Sequence, residues 1–522
     1  MDVVPKIWLV KYNWTSDETV SVSGFTWMNG EYVSGEAFLK LLSQHSGSAA
    51  AIQKLATQLN GQFSFVVKRH SEVWLACSPT WSYPVFYCHN NDETIVSDDP
   101  DEIVKQLQSP EIDPFSKNYF LLFGVTPQNS TLVKQLKQVQ PGEMVILNKQ
   151  QTQHSFFFDV ADEIPLQKVG EEKLHQSVLA LFEKYYRFVK NKHVLLPLTR
   201  GYDSRLLACL LKEFGHTNVL CATWGRKDNV EVATAQKVAG KLGFPHIFIE
   251  YNREMISGFP AKKQFPDYAK YAGHFSSMPF LQDYFAINYL KKNQLISEKT
   301  VAMPGYSGDF FAGSHLDAKL KTADNRYLIS KMVNQYSSTY PLKNRLLKEV
   351  EEYIQRNFLA NKAAEPWQKY EQWDFRERQC KFISNANHAW FYFGFESVMP
   401  LFDKEFINFF KPVPLEQKLG AGLYNSTLEN YFFTPHNVNF DLKSRQYPSG
   451  NKTNLKRMIL KASPKWIKDL YYPLDDAIFY REITTELLQS MPQKNYRHPL
   501  IPHKYNSIII QWYLQNVLKP EK

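Results

Sequence analysis

Up to about residue 160, apolar residues fall in short runs at 7–10, 63–67, 73–77, 84–88 and 94–97, with turn-forming residues between them at close intervals. That spacing predicts a β-rich layered domain. From about residue 190 the period changes. Runs at 193–198, 218–224 and 246–251 read as strands, with helices at 204–214 and 230–242 between them, an alternation that predicts a parallel sheet with crossover helices. Ala235, Val238, Ala239 and Leu242 repeat at i, i+3, i+4 and i+7, the stripe a helix lays on a sheet. Gly215 and Gly243 stand where a left-handed C-terminal cap is wanted. The remainder, from about 275 to 522, is aromatic-rich and mainly helical in pattern, with an irregular stretch at 441–453 that contains Pro448, Lys443 and Lys452.

A chain of 522 residues exceeds what one hydrophobic core supports, so two or three domains are expected, and the change of pattern divides it into residues 1–165 and 166–522. With 44% hydrophobic and 22% charged residues it has the apolar surface to fold, which excludes a disordered chain. No run approaches the roughly 18 apolar residues of a membrane span. The opening has neither a basic start nor a small-residue cleavage site, so the cytoplasm is the expected compartment. Cys77, Cys88, Cys209, Cys221 and Cys380 have no paired spacing, which predicts reduced, mostly buried thiols and no zinc site. The net charge of +9 is spread along the chain without a dense basic run, which argues against nucleic acid as a partner and leaves steering of an anionic small molecule.

The segment HVLLPLTRGYDSRLLACLL carries the strongest local signal, an apolar strand running into Thr199, Arg200, Gly201, Tyr202, Asp203 and Ser204 and then a helix. Backbone N–H groups at a helix start, a Gly permitting close approach and the Thr199 and Ser204 hydroxyls suit an oxyanion. A plain turn with Asp203 or Ser204 as helix cap is the alternative. No Walker loop is present.

This loop resembles the S-G-G-x-D-S pyrophosphate loop of ATP pyrophosphatases, with Thr199 for the Ser and Arg200 for the first Gly, and the chain downstream of it resembles the asparagine synthetase family. Ala222, Thr223, Trp224 and Gly225 occupy the place of the family's adenine and ribose contact. Glu231, Ala235 and the run from Leu242 to His246 come next in the same order. A second loop, from Pro304 through Gly305, Tyr306, Ser307, Gly308 and Asp309 to Gly313, resembles the family's S-G-E-G-x-D-E-x-F-G, and a third match runs from Glu396 to Asp403, read as a structural landmark in which Glu396 is free to face the site. The resemblance implies ATP and Mg²⁺ as cofactors, with Asp203 and Asp309 as magnesium ligands. It also implies that a Lys of the irregular carboxy-terminal loop, Lys443 or Lys452, meets the α-phosphate.

The amino-terminal half resembles glutamine amidotransferase domains with an N-terminal cysteine nucleophile, through Leu59 to Phe65, Tyr83 to Tyr87 and Phe123 to Glu143. Position 2 is Asp2, and Ser78-Pro79 replaces the Arg-Asp pair, which implies that glutaminase chemistry is lost. Loss of that cysteine is shared by β-lactam synthetases and lasso-peptide cyclases. Tyr306 stands where β-lactam synthetases carry a Tyr that assists deprotonation of the attacking amine.

The expected architecture is therefore α/β, an amidotransferase-like layered domain followed by a doubly wound ATP-pyrophosphatase domain with a helical extension. The expected activity is adenylation of a small-molecule or peptide carboxylate and its capture by an amine or ammonia, with neither nucleic acid nor membrane as partner and a homodimer left open. A decayed nucleotide-binding scaffold is the alternative from another class, motivated by Arg200, which either crowds the pyrophosphate or grips it. Sulfur transfer is disfavoured because no paired cysteine is present.

Overall fold

Continuous apolar runs such as HVLLP and VLCATWG suit the inner strands of a parallel sheet, which is covered on both faces. The computed structural model of the protein describes residues 5–69, 72–89, 93–148, 151–161, 164–227, 229–336, 342–361, 364–440, 478–491 and 505–518. It sets five strands edge to edge in the order His246–Glu250, Val219–Gly225, His193–Pro197, Thr300–Ala302 and Glu396–Ser397, every pair parallel. By chain position this order is third, second, first, fourth, fifth. The winding reverses between the first and fourth strands, and at such a reversal a crevice opens outside the carboxyl ends. The register pairs Leu195 with Ala302, so strand Thr300–Ala302 ends two residues before its neighbour does at Pro197, and the loops that continue from the two strands meet on the same side of the sheet.

Helix Val230–Leu242 buries Ala235, Val238, Ala239 and Leu242 as their spacing predicts, and it stops on Gly243 at φ +76°. Gly215, after helix Tyr202–Glu213, has φ +72°. The strands Thr300–Ala302 and Glu396–Ser397 fall inside the stretch whose pattern is helical. With three and two residues they are too short to show a period.

The amino-terminal part has a seven-stranded antiparallel sheet and a four-stranded sheet, the latter pairing Lys6–Trp8 with Thr94–Ser97 in parallel. All five predicted strands are present. Helices Gly35–His45, Ala49–Gln58, Pro100–Gln106 and Pro114–Phe123 join them in a stretch whose pattern is mostly β, and the first packs on strand Val20–Met28. The five cysteines are free and buried.

Buried polar contacts join the two parts. Asn60 Nδ2 donates to Asp403 Oδ1 at 3.0 Å, Gln62 Nε2 to the Ser397 carbonyl at 3.2 Å, and the Met399 N–H to Gln62 Oε1 at 3.1 Å. Asp403 also receives Lys184 and the Tyr185 hydroxyl, while Glu396 pairs with Lys192 at 2.9 Å. The segment from Glu396 to Asp403 thus forms a seam, and Glu396 does not line the crevice.

A second junction is the fully buried pair Lys381–Glu377 at 3.0 Å, in which Lys381 also donates to the Thr126 and Gln128 carbonyls. Removing one partner strands the other charge, so Lys381→Met is expected to cost about 3–5 kcal/mol. Thermal unfolding beside wild type reads it, and an unchanged midpoint refutes it.

Candidate functional site

The first loop is shaped by its own hydroxyls. Thr199 Oγ1 accepts from the Gly201 N–H at 3.0 Å and lies 3.1 Å from Ser204 Oγ, which accepts from the Thr199 N–H at 3.1 Å. The two hydroxyls expected to face an oxyanion therefore close on each other and hold the turn. The loop's anion-attracting element is the N-terminus of the twelve-residue helix Tyr202–Glu213. Its N-cap is Gly201 with no side-chain cap bond, so neither Asp203 nor Ser204 caps the helix. The Arg200 N–H donates to Glu231 Oε2 at 2.7 Å. Arg205, fully buried, donates to the Arg200, Val438 and Phe440 carbonyls and braces the loop from behind.

Asp203 points at the second loop. Its Oδ2 accepts from the Asp309 N–H at 3.1 Å and its Oδ1 from the Tyr424 hydroxyl at 2.9 Å. Burial first and the neighbouring Asp309 carboxylate second push the Asp203 carboxyl up to about 8, against the opposing pull of the Asp309 N–H, the Tyr424 hydroxyl and the Gly308 N–H. Such closeness depends on glycine. A Cβ on Gly305 would lie 2.8 Å from the Ser204 nitrogen and 3.0 Å from the Asp203 carbonyl carbon, and one on Gly308 would lie 2.9 Å from Asp203 Cγ.

Tyr306 donates its hydroxyl to Asp283 Oδ2 at 2.7 Å, and the Trp224 indole donates to Asp283 Oδ1 at 3.1 Å. Burial, then the Asp283 charge, holds the Tyr306 phenol well above its ordinary value. Burial lifts the Asp283 carboxyl to about 6. Ser307 adopts φ +67°, a strained value for a residue with a side chain, and its hydroxyl donates to Gln379 Oε1 at 2.8 Å. Gln379 belongs to a ten-residue π-helix, Asp374–Ile383, which also carries Glu377 and Lys381.

Thr199, Gly201, Tyr202, Asp203, Ser204, Thr223, Gly305, Tyr306 and Asp309 all line one cavity of about 490 Å³ at the strand-order reversal. The Arg200 side chain is not among its walls, and the Thr223 hydroxyl donates to the Leu198 carbonyl at 2.6 Å. Lys443 and Lys452, like Asp2, lie outside the described residues. Sequence reasoning missed Asp283, Tyr424 and Gln379, which no local motif marks. Two neighbouring carboxylates on the wall of one cavity fit a magnesium ion that takes its other ligands from phosphate oxygens and water. Among the described residues no group of three or more His, Cys, Asp or Glu forms a protein-only metal cage.

Fold and site together define an α/β protein with a carboxylate-bearing crevice at the carboxyl edge of a doubly wound sheet. The sequence model of the asparagine synthase family matches residues 186–511, well over half of the chain, and the chain belongs to that family. A curated relative is asparagine synthetase [glutamine-hydrolyzing] 1 of Bacillus subtilis, 24% identical over 270 residues, which cover 50% of this chain and 41% of the relative. Among solved structures, the NH3-dependent NAD synthetase of Campylobacter jejuni is 11% identical and covers 36% of this chain and 95% of its own at a TM-score of 0.21. The B. subtilis glutamine phosphoribosylpyrophosphate amidotransferase is 13% identical, covering 57% and 58%, at 0.18.

Proposed function

We propose that the protein is an ATP-dependent, AMP-forming amide ligase of the asparagine synthetase type, with residues 166–522 as the synthetase domain and residues 1–165 as an amidotransferase-like scaffold without glutaminase activity. The observation that carries this reading is the meeting of Asp203 and Asp309 across two glycine-cleared loops at the strand-order reversal. A substrate carboxylate oxygen attacks the α-phosphorus of ATP, and pyrophosphate departs toward the helix N-terminus behind residues 199–204. An amine nitrogen then attacks the acyl carbon and AMP leaves. Asp203 and Asp309 would hold Mg²⁺, which when bound would supply positive charge to the departing pyrophosphate. The chain's own contribution is positioning. The first loop orients the triphosphate, Thr223 and its strand end border the nucleoside, and Tyr306 with Asp283 receives the proton that the attacking amine sheds. Lys443 or Lys452 serves the α-phosphate in this scheme.

Two features of the sequence support the loss of glutamine chemistry: Asp2 stands in place of the nucleophilic cysteine, and Ser78-Pro79 replaces the Arg-Asp pair.

Purified protein given Mg–ATP and its acyl substrate is expected to form AMP and pyrophosphate with ammonia or an amine, and to release no glutamate from glutamine. ADP and phosphate as products would overturn the loop assignment. Glutamate release would overturn the scaffold assignment.

A further inference from the structure

Asp283 lies where a helix N-cap would, immediately before Tyr284–Lys292, but its side chain makes no cap bond. Each carboxylate oxygen instead accepts one neutral donor, the Trp224 indole on one side and the Tyr306 hydroxyl on the other. An ionised carboxylate has about four lone-pair sites, so roughly two are left for a ligand. Asp283 is 5% exposed, and the small surface it keeps belongs to the wall of the 490 Å³ cavity. Among the described residues no Lys, Arg or His forms an ion pair with it. A buried carboxylate with neutral donors alone is costly, and a cation arriving from the cavity removes that cost. Trp224 and Tyr306 also line the cavity, and their rings suit the alkyl or aryl body that an organic cation brings with its charge.

We propose that Asp283 is the receptor for a cationic amine substrate: a primary or secondary alkylammonium ion docks on its carboxylate between Trp224 and Tyr306. This rests on the ligase reading of the cavity and narrows its nucleophile from ammonia or an amine to an amine with an organic substituent, which gives one proton to solvent on becoming the neutral nucleophile and a second to Tyr306 and Asp283 as the amide forms. Asp283 is then a specificity-determining residue.

Benzylammonium, benzyl alcohol and ammonium chloride are titrated separately into nucleotide-free full-length protein by calorimetry near pH 8, with Mg–ATP titrated in a parallel series. Wild type is expected to bind benzylammonium at least about tenfold more tightly than the isosteric alcohol, since both can hydrogen-bond to the carboxylate but only the ammonium adds the attraction of an opposite charge in a buried site. Asp283→Asn is expected to lose that preference while binding Mg–ATP as wild type does. Equal affinity for amine and alcohol in wild type overturns the proposal without recourse to any variant. Ammonium bound as tightly as benzylammonium returns the nucleophile to ammonia and also overturns it. Weakened Mg–ATP binding by Asp283→Asn assigns the carboxylate to the nucleotide and overturns it too. Failure of the ligase reading is seen separately, as absence of Mg–ATP binding by wild type.

Discussion

Asp203→Asn and Asp309→Asn are each expected to lower substrate-dependent AMP formation by at least about a hundredfold, the usual loss when one preorganised electrostatic group is removed. The fold should survive, because each change keeps the shape of the side chain. Asp203→Asn should also alter stability in a pH-dependent way. In the metal-free fold the Asp203 carboxyl is raised from its ordinary value to about 8, chiefly by burial and then by Asp309. A raised folded-state value means that the protonated form is favoured by folding. Its contribution is full below about pH 4 and is lost as pH climbs through 8. Wild type should therefore unfold at a lower temperature than Asp203→Asn at pH 9 and at nearly the same temperature at pH 4. Titrating Mg²⁺ should close the gap by stabilising wild type alone. Near-normal AMP formation by either variant at ordinary Mg²⁺ removes that residue from the ligand set. A pH-independent stability difference refutes the buried-carboxylate argument.

Gly305→Ala is the second large effect expected. The clash is with backbone, the Ser204 nitrogen at 2.8 Å and the Asp203 carbonyl carbon at 3.0 Å, and backbone cannot swing aside as a side-chain tip can. Forcing a methyl into that contact costs about 1–3 kcal/mol and moves the loops apart. Asp309 then parts from Asp203, and both Mg–ATP affinity and AMP formation should fall by about tenfold or more, since 1.4 kcal/mol is a factor of ten. Gly240→Ala is the matched control. Gly240 is exposed within helix Val230–Leu242 and a Cβ there meets nothing within 4 Å, so Ala should stabilise by about 0.5–1 kcal/mol. Comparable activity loss in both variants would show that the crowding at Gly305 is not the cause.

The sequence by itself determined the strand-to-helix alternation after residue 190, the glycine caps, the two Gly-Asp loops and the family. These are short-range features, since hydrophobic period, cap chemistry and loop composition are written within a dozen residues. It also marked the residues from Thr199 to Ser204 together with Thr223, Gly305, Tyr306 and Asp309, all but Arg200 of which line one cavity. Only the tertiary structure decided the rest. A strand of two residues such as Glu396–Ser397 has no period to read, yet without it and Thr300–Ala302 the strand order has no reversal and no crevice. Whether Asp203 caps a helix or faces a partner depended on a contact 106 residues away, and its second partner, Tyr424, is 221 residues away. Nothing in its sequence neighbourhood marks Asp283, whose contacts come from Trp224 near the end of one strand and Tyr306 in the loop after another. The physical reason is common to all three. Burial and long-range pairing change what a carboxylate does, and neither is a property of its sequence neighbours.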